Sequence, residues 1–354
     1  MGGSSESTRW TPRRTAGVLV RWFAAHARDL PWRTPERDPW RALVSEIMLQ
    51  QTQVSRVADR YPAFVERFPT PRAMAAADEG DVLALWSGLG YYRRARALHA
   101  AARAIAHDHA GVVPADVRSL ASLPGVGRYT AGAIASMVFG LPEPAVDGNV
   151  IRVLLRLHAS DRSQDAPATR AWAESTAREL AEATDDPGAL AEALMELGAT
   201  VCTPKSPTCE GCPVRAGCRA FAEGRQHEIP APKARKAPRD LFCASVVSAD
   251  ARGRLLVEQR PDAGMWGGLW QAPTLERDDR TPNAAEVRAF VGARSARRRD
   301  TFVHQTTHRT VRFEVWLAEG ARAGAGRERR TPGEIAALGL SNPQRRILLG
   351  TPTA

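Results

Sequence analysis

The sequence predicts a mainly α-helical body followed by a smaller α+β domain. From Trp10 to about Ala222, apolar residues recur at spacings of three and four, which is the period of an amphipathic helix. Gly224–Arg239 interrupts this pattern with three prolines and five cations, as a linker does. Beyond it the apolar spacing changes to two, the period of a strand. A length of 354 residues fits two or three such compact units.

Helical spacing is clearest in six segments of the first part, and Gly- and Pro-containing turns separate them. The segments are Ala16–Ala27, Pro39–Val54, Ala95–Ala106, Thr130–Phe139, Val150–Leu157 and Ala168–Ala183. The turns are Pro69-Thr70-Pro71, Gly88-Leu89-Gly90, Pro124-Gly125 and Asp186-Pro187-Gly188. This order predicts a helical body over residues 12–223, after a disordered tail at 1–11.

The last part of the chain, 240–349, mixes strands and helices. Leu241–Val247, Arg254–Gln259 and Thr310–Leu317 are predicted strands, and 250–253 is a predicted hairpin turn between the first two. Short helices are expected at Asn283–Val291 and at Ser341–Leu349, where a proline follows Asn342.

The charge balance favours a polyanionic partner. Lys and Arg number 49 against 39 Asp and Glu, so the formal charge is +10. Lysine occurs only at Lys205, Lys233 and Lys236, and arginine binds phosphate with a bidentate fork. A genome rich in arginine codons explains the ratio equally well. No apolar run is long enough for a membrane span, and the N-terminus lacks a signal peptide, so we expect a cytoplasmic, membrane-free protein.

Four cysteines lie within seventeen residues, directly after a helical pattern. They are Cys202, Cys209, Cys212 and Cys218, spaced Cys-x6-Cys-x2-Cys-x5-Cys. Disulfides rarely persist in the cytoplasm, so the thiols are predicted metal ligands. The spacing alone does not separate a zinc site from an iron–sulfur cluster.

A glycine-containing turn between two helical patterns forms a candidate phosphate site. It is Leu123-Pro124-Gly125-Val126-Gly127. Glycines let the backbone approach a ligand and direct N–H groups at it from a helix N-terminus. A plain interhelical turn is the alternative.

Two carboxylates are candidates for acid–base chemistry. Glu46 lies on a mostly apolar helix face, where desolvation would raise its pKa as a general acid requires. Asp147 follows Gly127 by twenty residues, next to a helix N-terminus. A structural buried Glu46 and a helix-capping Asp147 are the alternatives. Together, a protonated carboxyl and an anionic carboxylate suit cleavage of a glycosidic bond.

These motifs resemble the helix–hairpin–helix DNA glycosylases, and among them the adenine DNA glycosylases of the MutY family. The similar segments run from about residue 12 to 348. They are Leu30-Pro31-Trp32-Arg33, Val44–Val54, Gly88–Arg96, the hairpin with Arg128–Gly132, Val146–Val150, Leu194-Met195-Glu196-Leu197-Gly198-Ala199, the cysteine cluster and Trp266-Gly267-Gly268-Leu269-Trp270. The resemblance implies a glycosylase body with an iron–sulfur cluster loop, holding a 4Fe–4S centre, and a C-terminal Nudix-like domain. It further implies that 12–36 and 147–223 form the cluster-bearing half of the body and 37–146 a six-helix half.

The resemblance also assigns roles at the site. Glu46 would protonate N7 of a flipped adenine, and Asp147 would stabilise the oxocarbenium ion or briefly bond to the sugar before water attacks. Tyr129 would hydrogen-bond that aspartate, with Asn149 in the same network. The adenine pocket would use Trp32, Arg33, Leu49 and Glu196, while Gln51 and Tyr91 would wedge into the base stack. For Tyr91 and Tyr92, ordinary core packing is the alternative.

Two features narrow the reaction class. Related bifunctional enzymes, such as endonuclease III, use a hairpin lysine to form a Schiff base, but Tyr129 stands there and no lysine is near it in the sequence. Leu275–Arg294 lacks the acidic box that a Nudix hydrolase uses to bind Mg²⁺. These two features predict a monofunctional glycosylase whose C-terminal domain serves in recognition.

One segment departs from the family pattern. The family senses 8-oxoguanine with a Phe-Ser-His turn, whereas this chain has Thr306, Thr307 and His308. The hydroxyl and imidazole persist, but the aromatic wedge is missing. A simple cross-strand pair is the alternative reading.

The sequence therefore predicts an adenine glycosylase of base-excision repair that acts on adenine opposite 8-oxoguanine or guanine. Its expected partner is double-stranded DNA, bound by a monomer. A mismatch glycosylase with a changed base preference and a non-catalytic DNA-damage-binding protein are the alternatives.

Overall fold

A computed structural model of the chain describes residues 11–231, 238–262, 264–306, 308–324 and 326–350. Backbone contacts divide it into two compact units. The first contains Met1–Ala75 and Ala100–Ala234, and the second contains Ala76–His99 and Arg235–Ala354. The segment 76–99, which the sequence analysis assigned to the helical body, therefore groups with the C-terminal part of the chain.

The helical character of residues 12–223 is confirmed. In chain order the helices are α1 Pro12–His26, α2 Pro39–Leu49, α3 Val54–Arg67, α4 Pro71–Ala75, α5 Glu79–Leu85, α6 Arg93–Asp108, α7 Val117–Ser122, α8 Arg128–Met137, α9 Gly148–Leu157, α10 Pro167–Glu182, α11 Pro187–Thr200 and α12 Arg219–Ala222. Short 3-10 turns at Cys209–Gly211 and Arg215–Gly217 precede α12. The single helix predicted over 39–54 is two helices, because Gln51 takes a left-handed φ of 58° that ends the α-helical path.

Polar caps and prolines fix where the helices of the first unit begin. Side chains of N-cap residues accept a backbone N–H in the first turn of α1, α2, α7, α9 and α11. Proline occupies the first turn of α1, α2, α10 and α11, where a missing N–H costs nothing. The apolar faces of α1, α9, α10 and α11 bury a common core that includes Leu19, Leu154, Leu180 and Leu194.

The first unit extends into the predicted linker. Ile229 is 2% exposed and packs in the core just described. Its carbonyl accepts a hydrogen bond from Arg156 Nε at 2.7 Å. The described chain therefore stays attached to the helical unit until at least residue 229. Most of the predicted tail, 1–10, and the central linker, 232–237, lie outside the described residues.

The second unit contains two small sheets. The strands are β1 Arg239–Val247, β2 Leu255–Gln259, β3 Trp270–Gln271, β4 Thr274–Arg277, β5 Ser295–Gln305, β6 Arg309–Glu319 and β7 Arg327–Arg330, with helices α13 Ala284–Val291, α14 Pro332–Ala336 and α15 Asn342–Leu349. One sheet has the order β4-β1-β6-β5 and the other β3-β2-β7. In the first sheet β1 and β6 are parallel, while β5 pairs antiparallel with β6 at the edge and carries a bulge between Arg298 and Asp300.

The predicted hairpin turn at 250–253 is confirmed, since Gly253 N donates to Asp250 O at 3.0 Å with a glycine φ of 74°. Antiparallel pairing continues across the turn through the Ala249–Leu255 bridge and through Leu256 N, which donates to Ser248 O at 3.0 Å. Further from the turn the two strands diverge into different sheets. Strand β5 was not predicted, because a run of exposed arginines hides its period of two.

Helix α5 and the start of α6 pack with the C-terminal chain inside the second unit. Tyr92 is 5% exposed, and its hydroxyl donates to Leu340 O at 2.8 Å. Ser87 Oγ accepts from Arg345 Nε at 2.8 Å. Core packing, the alternative noted for the tyrosine pair, thus holds for Tyr92. Among the described residues, no helix is both long and apolar enough to cross a membrane.

Candidate active site

Helix α2 carries Glu46 into the interior of the first unit. Asp38 caps the helix, accepting Arg41 N at 2.7 Å, and the buried apolar face around Glu46 includes Leu43 and Ile47. Glu46 itself is 6% exposed. Burial raises its pKa to about 7, and the negative charges of Asp147 and Glu192 act in the same direction. A carboxyl in this setting keeps a proton close to neutral pH.

Asp147 is the N-cap of α9. Its Oδ1 accepts Val150 N and its Oδ2 accepts Asn149 Nδ2, both at 2.8 Å. The carboxylate is half-buried and faces the positive end of the helix dipole. Capping and a catalytic role are compatible here, because both need the anion at this position.

Tyr129, in the first turn of α8, is hydrogen-bonded to Glu46. Burial raises the pKa of the phenol well above its usual range, so the hydroxyl keeps its proton. That hydroxyl also lies 3.1 Å from Met195 Sδ of α11. The hydrogen bond to Asp147 that the sequence analysis expected stays a prediction; the negative charge of Asp147 acts with burial to raise the pKa of the phenol.

Arg152, one turn into α9, is a site residue that the sequence analysis missed. It is 5% exposed. Its Nη2 donates to Asn149 Oδ1 and to Gly198 O at 2.8 Å each, and its Nε donates to Cys202 O at 2.8 Å. A continuous path of hydrogen bonds therefore runs from Asp147 to the first cysteine. The available signal was a pair of arginines, Arg152 and Arg156, four positions apart in a mostly apolar helix.

A chain of alternating charges includes Glu192 and Arg33, which both influence the pKa of Glu46. Glu196 is 1% exposed and accepts Arg28 Nε at 2.6 Å and Arg33 Nη2 at 2.9 Å. Glu192, one helical turn earlier and 5% exposed, pairs with Arg33 at 3.0 Å and with Arg37. Arg33 and Glu196 were predicted site residues, whereas the other three were not. Two glutamates four apart on the apolar α11 were the overlooked signal.

The other predicted pocket residues of the first unit differ in exposure. Trp32 is half-buried, with its ring edge on Tyr61 at 5.6 Å between centroids. Leu49 is the half-buried last residue of α2. Gln51 is exposed, and its left-handed φ is a strained conformation of the kind that recurs at functional sites.

The predicted hairpin joins α7 to α8 as a tight turn. Gly125 has a φ of 75°, and Val126 N donates to Leu123 O at 3.1 Å. Leu123 and Val126 are buried, so their side chains anchor the turn. Gly125 and Gly127 are exposed, and nothing lies within 4 Å of where a Cβ of Gly127 would be. The backbone is thus accessible at the N-terminus of α8.

All four predicted cysteine ligands line one cavity, and their thiols influence one another's pKa values. Burial raises the pKa of Cys212 to about 12. Arg156, 2% exposed, donates from Nη1 to Cys202 Sγ at 3.3 Å and to Thr203 O at 2.7 Å. Gln226 also lines the cavity, and its buried Oε1 has no hydrogen-bond partner. No group of three or more metal-ligating side chains converges within the part of the chain that the structure describes.

In the second unit, Tyr91 is 45% exposed with a φ of 47°, and the Arg94 guanidinium lies over its ring. Thr306 closes the β5–β6 turn: its Oγ1 accepts Arg309 N at 2.9 Å and donates to Arg309 O. His308 is exposed, and Thr307 lies outside the described residues. The hydroxyl of Thr306 is therefore engaged within the turn itself.

Two family models match the chain. The model of the HhH-GPD superfamily base excision DNA repair protein covers residues 44–179, and the model of the NUDIX domain covers 244–350. Both helical and α+β parts of the predicted fold are thereby confirmed.

Known proteins agree with these matches. Adenine DNA glycosylase of Homo sapiens is 34% identical over 362 residues, covering 85% of this chain and 66% of that protein. The chain thus spans just under two thirds of that relative. Adenine DNA glycosylase of Mycolicibacterium smegmatis is 48% identical over 206 residues, covering 58% of this chain and 69% of that one. A chain solved in a non-covalent endonuclease III–DNA complex aligns with a TM-score of 0.50 and 25% identity, covering 60% of this chain and 95% of that chain.

Proposed function

The chain belongs to the adenine DNA glycosylase family, and we propose that it removes adenine paired with 8-oxoguanine or guanine from double-stranded DNA, in base-excision repair. The observation that carries this proposal is the pair of carboxyls in the helical unit. Glu46 is buried and its pKa lies near 7, while Asp147 accepts two hydrogen bonds at a helix N-terminus. Glycosidic cleavage requires one acid and one anion of this kind.

In the proposed mechanism Glu46 donates its proton to N7 of a flipped adenine. The bond between the base nitrogen and C1′ of the sugar breaks, and its electron pair leaves with the neutral base. Asp147 stabilises the positive charge that develops on the sugar, either as an ion pair or through a short-lived bond to C1′. Water then attacks C1′, and where Asp147 has bonded to the sugar that C–O bond breaks and returns its electron pair to the carboxylate. The proton that the water loses restores Glu46.

We propose that the enzyme is monofunctional. Strand cleavage by a lyase needs an amine that forms a Schiff base with the sugar. Tyr129 occupies the hairpin-adjacent position and its phenol stays protonated. Of the three lysines, Lys205 lies in the cysteine loop, and the other two lie outside the described residues. Strand breaks should therefore appear only after alkali.

The four cysteine thiols are proposed ligands of a 4Fe–4S cluster. The donor set fits this group, because four thiols line one cavity and Arg156 already donates to one of them. Gln226 supports the fit, because its side chain lines the same cavity with an amide oxygen that has no partner. Rotation of that amide by half a turn would direct an N–H at sulfur. When bound, such a cluster supplies structural cross-linking and one-electron redox chemistry.

We propose that the enzyme acts as a monomer in the cytoplasm and that its partner is double-stranded DNA. Several groups support the choice of DNA. The exposed backbone at Gly125 and the open space beside Gly127 suit a phosphate. The side chains of Gln51 and Tyr91 are exposed, and both residues have a strained left-handed backbone conformation. We propose that they contact the unstacked base pair. The turn with Thr306, Thr307 and His308 is proposed to read the opposite base, with His308 as its available polar group.

The test is single-turnover excision on duplexes with adenine opposite 8-oxoguanine or opposite guanine, read with and without alkali. Alkali-dependent cleavage that disappears in Glu46→Gln is the expected result. Excision of thymine or uracil opposite guanine instead would indicate a changed base preference. Tight binding without any product, in a protein with four sulfur-bound irons, would indicate a non-catalytic damage-binding protein.

A further inference from the structure

The hydroxyl of Tyr129 has one proton and two neighbours that can accept it. One is the carboxyl of Glu46, and the other is Met195 Sδ at 3.1 Å. Tyr129 and Met195 pack together against a small cluster of alanines: Ala133, Ala145 and Ala191. The two acceptors therefore approach the phenol from different helices, α2 and α11.

The direction of the Tyr129 proton decides what Glu46 must do. A phenol that donates to the sulfur presents only its oxygen lone pairs to Glu46, and only a protonated carboxyl can donate to them. A phenol that donates to Glu46 instead stabilises the ionised carboxylate. The sulfur and the carboxylate thus compete for one hydrogen.

We propose that Met195 is a positioning residue for the general acid. Its sulfur accepts the hydrogen bond that the Tyr129 hydroxyl donates, so Glu46 stays protonated and donates its own hydrogen bond to the Tyr129 oxygen. This inference rests on the proposed glycosylase function, in which Glu46 must enter the reaction protonated. It assigns a chemical role to a methionine that would otherwise only fill space in an apolar cluster.

Other charged groups face Glu46 and must be held constant in a test. Asp147 at the start of α9 and Glu192 on α11 favour the protonated form, whereas Arg33, in the segment before α2, favours the ionised form. Met195 is uncharged, so replacing it by another uncharged side chain leaves these electrostatic influences in place. A change in the proton affinity of Glu46 then reports on the hydrogen bond.

Two substitutions give opposite expectations. Met195→Leu keeps the volume but removes the acceptor, so the phenol is free to donate to Glu46, and the alkaline limb of the single-turnover rate moves to lower pH. Because sulfur is a weak acceptor, we expect about half a pH unit, a roughly threefold change in proton affinity. Met195→Gln provides a stronger acceptor. The alkaline limb of its rate profile should therefore lie at the same pH as in the unchanged protein, or at a higher pH.

Met137→Leu is the matched control, since Met137 packs on the same alanine cluster. Its pH profile should not move. Equal shifts in Met195→Leu and Met195→Gln, or no shift in either, would overturn the proposal and leave packing as the only role.

A second readout separates this proposal from the proposed function. The carboxyl stretching band of Glu46, identified by infrared difference against Glu46→Gln, can be titrated in the cluster-containing protein without DNA. A lower titration midpoint in Met195→Leu supports the inference even if no adenine is released. An unchanged midpoint refutes it even if the enzyme is active.

Discussion

Replacing Glu46 by glutamine should stabilise the folded protein at alkaline pH and lose this advantage in acid. Burial raises the pKa of Glu46 from 4.5 to about 7, so ionising it is unfavourable in the native state. At about 1.4 kcal/mol per unit, the difference amounts to about 3 kcal/mol.

The sign follows from proton binding. Between the unfolded and folded pKa values the native protein holds more protons than the unfolded chain, so its stability falls as pH rises. Below about pH 4.5 the carboxyl is protonated in both states and there is no penalty. Above about pH 7 the full penalty is present. Glutamine cannot ionise, so the variant avoids this penalty at every pH.

The assay is urea unfolding of the cluster-containing full chain between about pH 5 and pH 8.5. The free energy of unfolding of Glu46→Gln minus that of the unchanged protein should grow with pH toward about 3 kcal/mol. Glu66→Gln, the same substitution at an exposed position of α3, is the matched control for the effect of the substitution itself. A difference independent of pH would refute the claim that Glu46 is desolvated in the native state.

Three further outcomes are expected. Arg152→Gln breaks the hydrogen-bond path from Asn149 to Cys202, so single-turnover excision should slow about tenfold. DNA affinity, measured by gel shift, should change little, and an equal loss of affinity would indicate that the substitution damages the fold. Gly198→Ala places a Cβ 2.7 Å from that of Asn149 and should cost about 1–3 kcal/mol by urea unfolding, a result that an unchanged midpoint would contradict. Glu196→Gln leaves two arginines with a weaker partner and should lower the melting temperature; retention of the full value would show that the pairing contributes little.

Sequence reasoning located the candidate site through residues whose roles are local. Helix periodicity placed Glu46 on a buried face, and capping chemistry fitted Asp147 to the start of α9. Both properties depend on neighbours within a few positions along the chain. The roles assigned to these residues stay predictions.

Contacts between residues far apart in the sequence could not be predicted in the same way. Arg152 joins α9 to the loop of Cys202, and Met195 meets Tyr129 across 66 positions. Such pairs depend on how helices pack, which no local pattern encodes. The division of α2 from α3 was missed for another reason: a glutamine rather than a glycine takes the left-handed conformation at Gln51.

The arginine-rich edge strand β5 has a consequence for solubility. An eleven-residue strand at a sheet edge presents unpaired backbone groups to which a strand of another molecule could add. In β5 the exposed residues Arg297 and Arg299 would repel a second copy, and the bulge before Asp300 disrupts a flat register. The same cations that obscured the strand in the sequence thus protect the sheet from intermolecular aggregation.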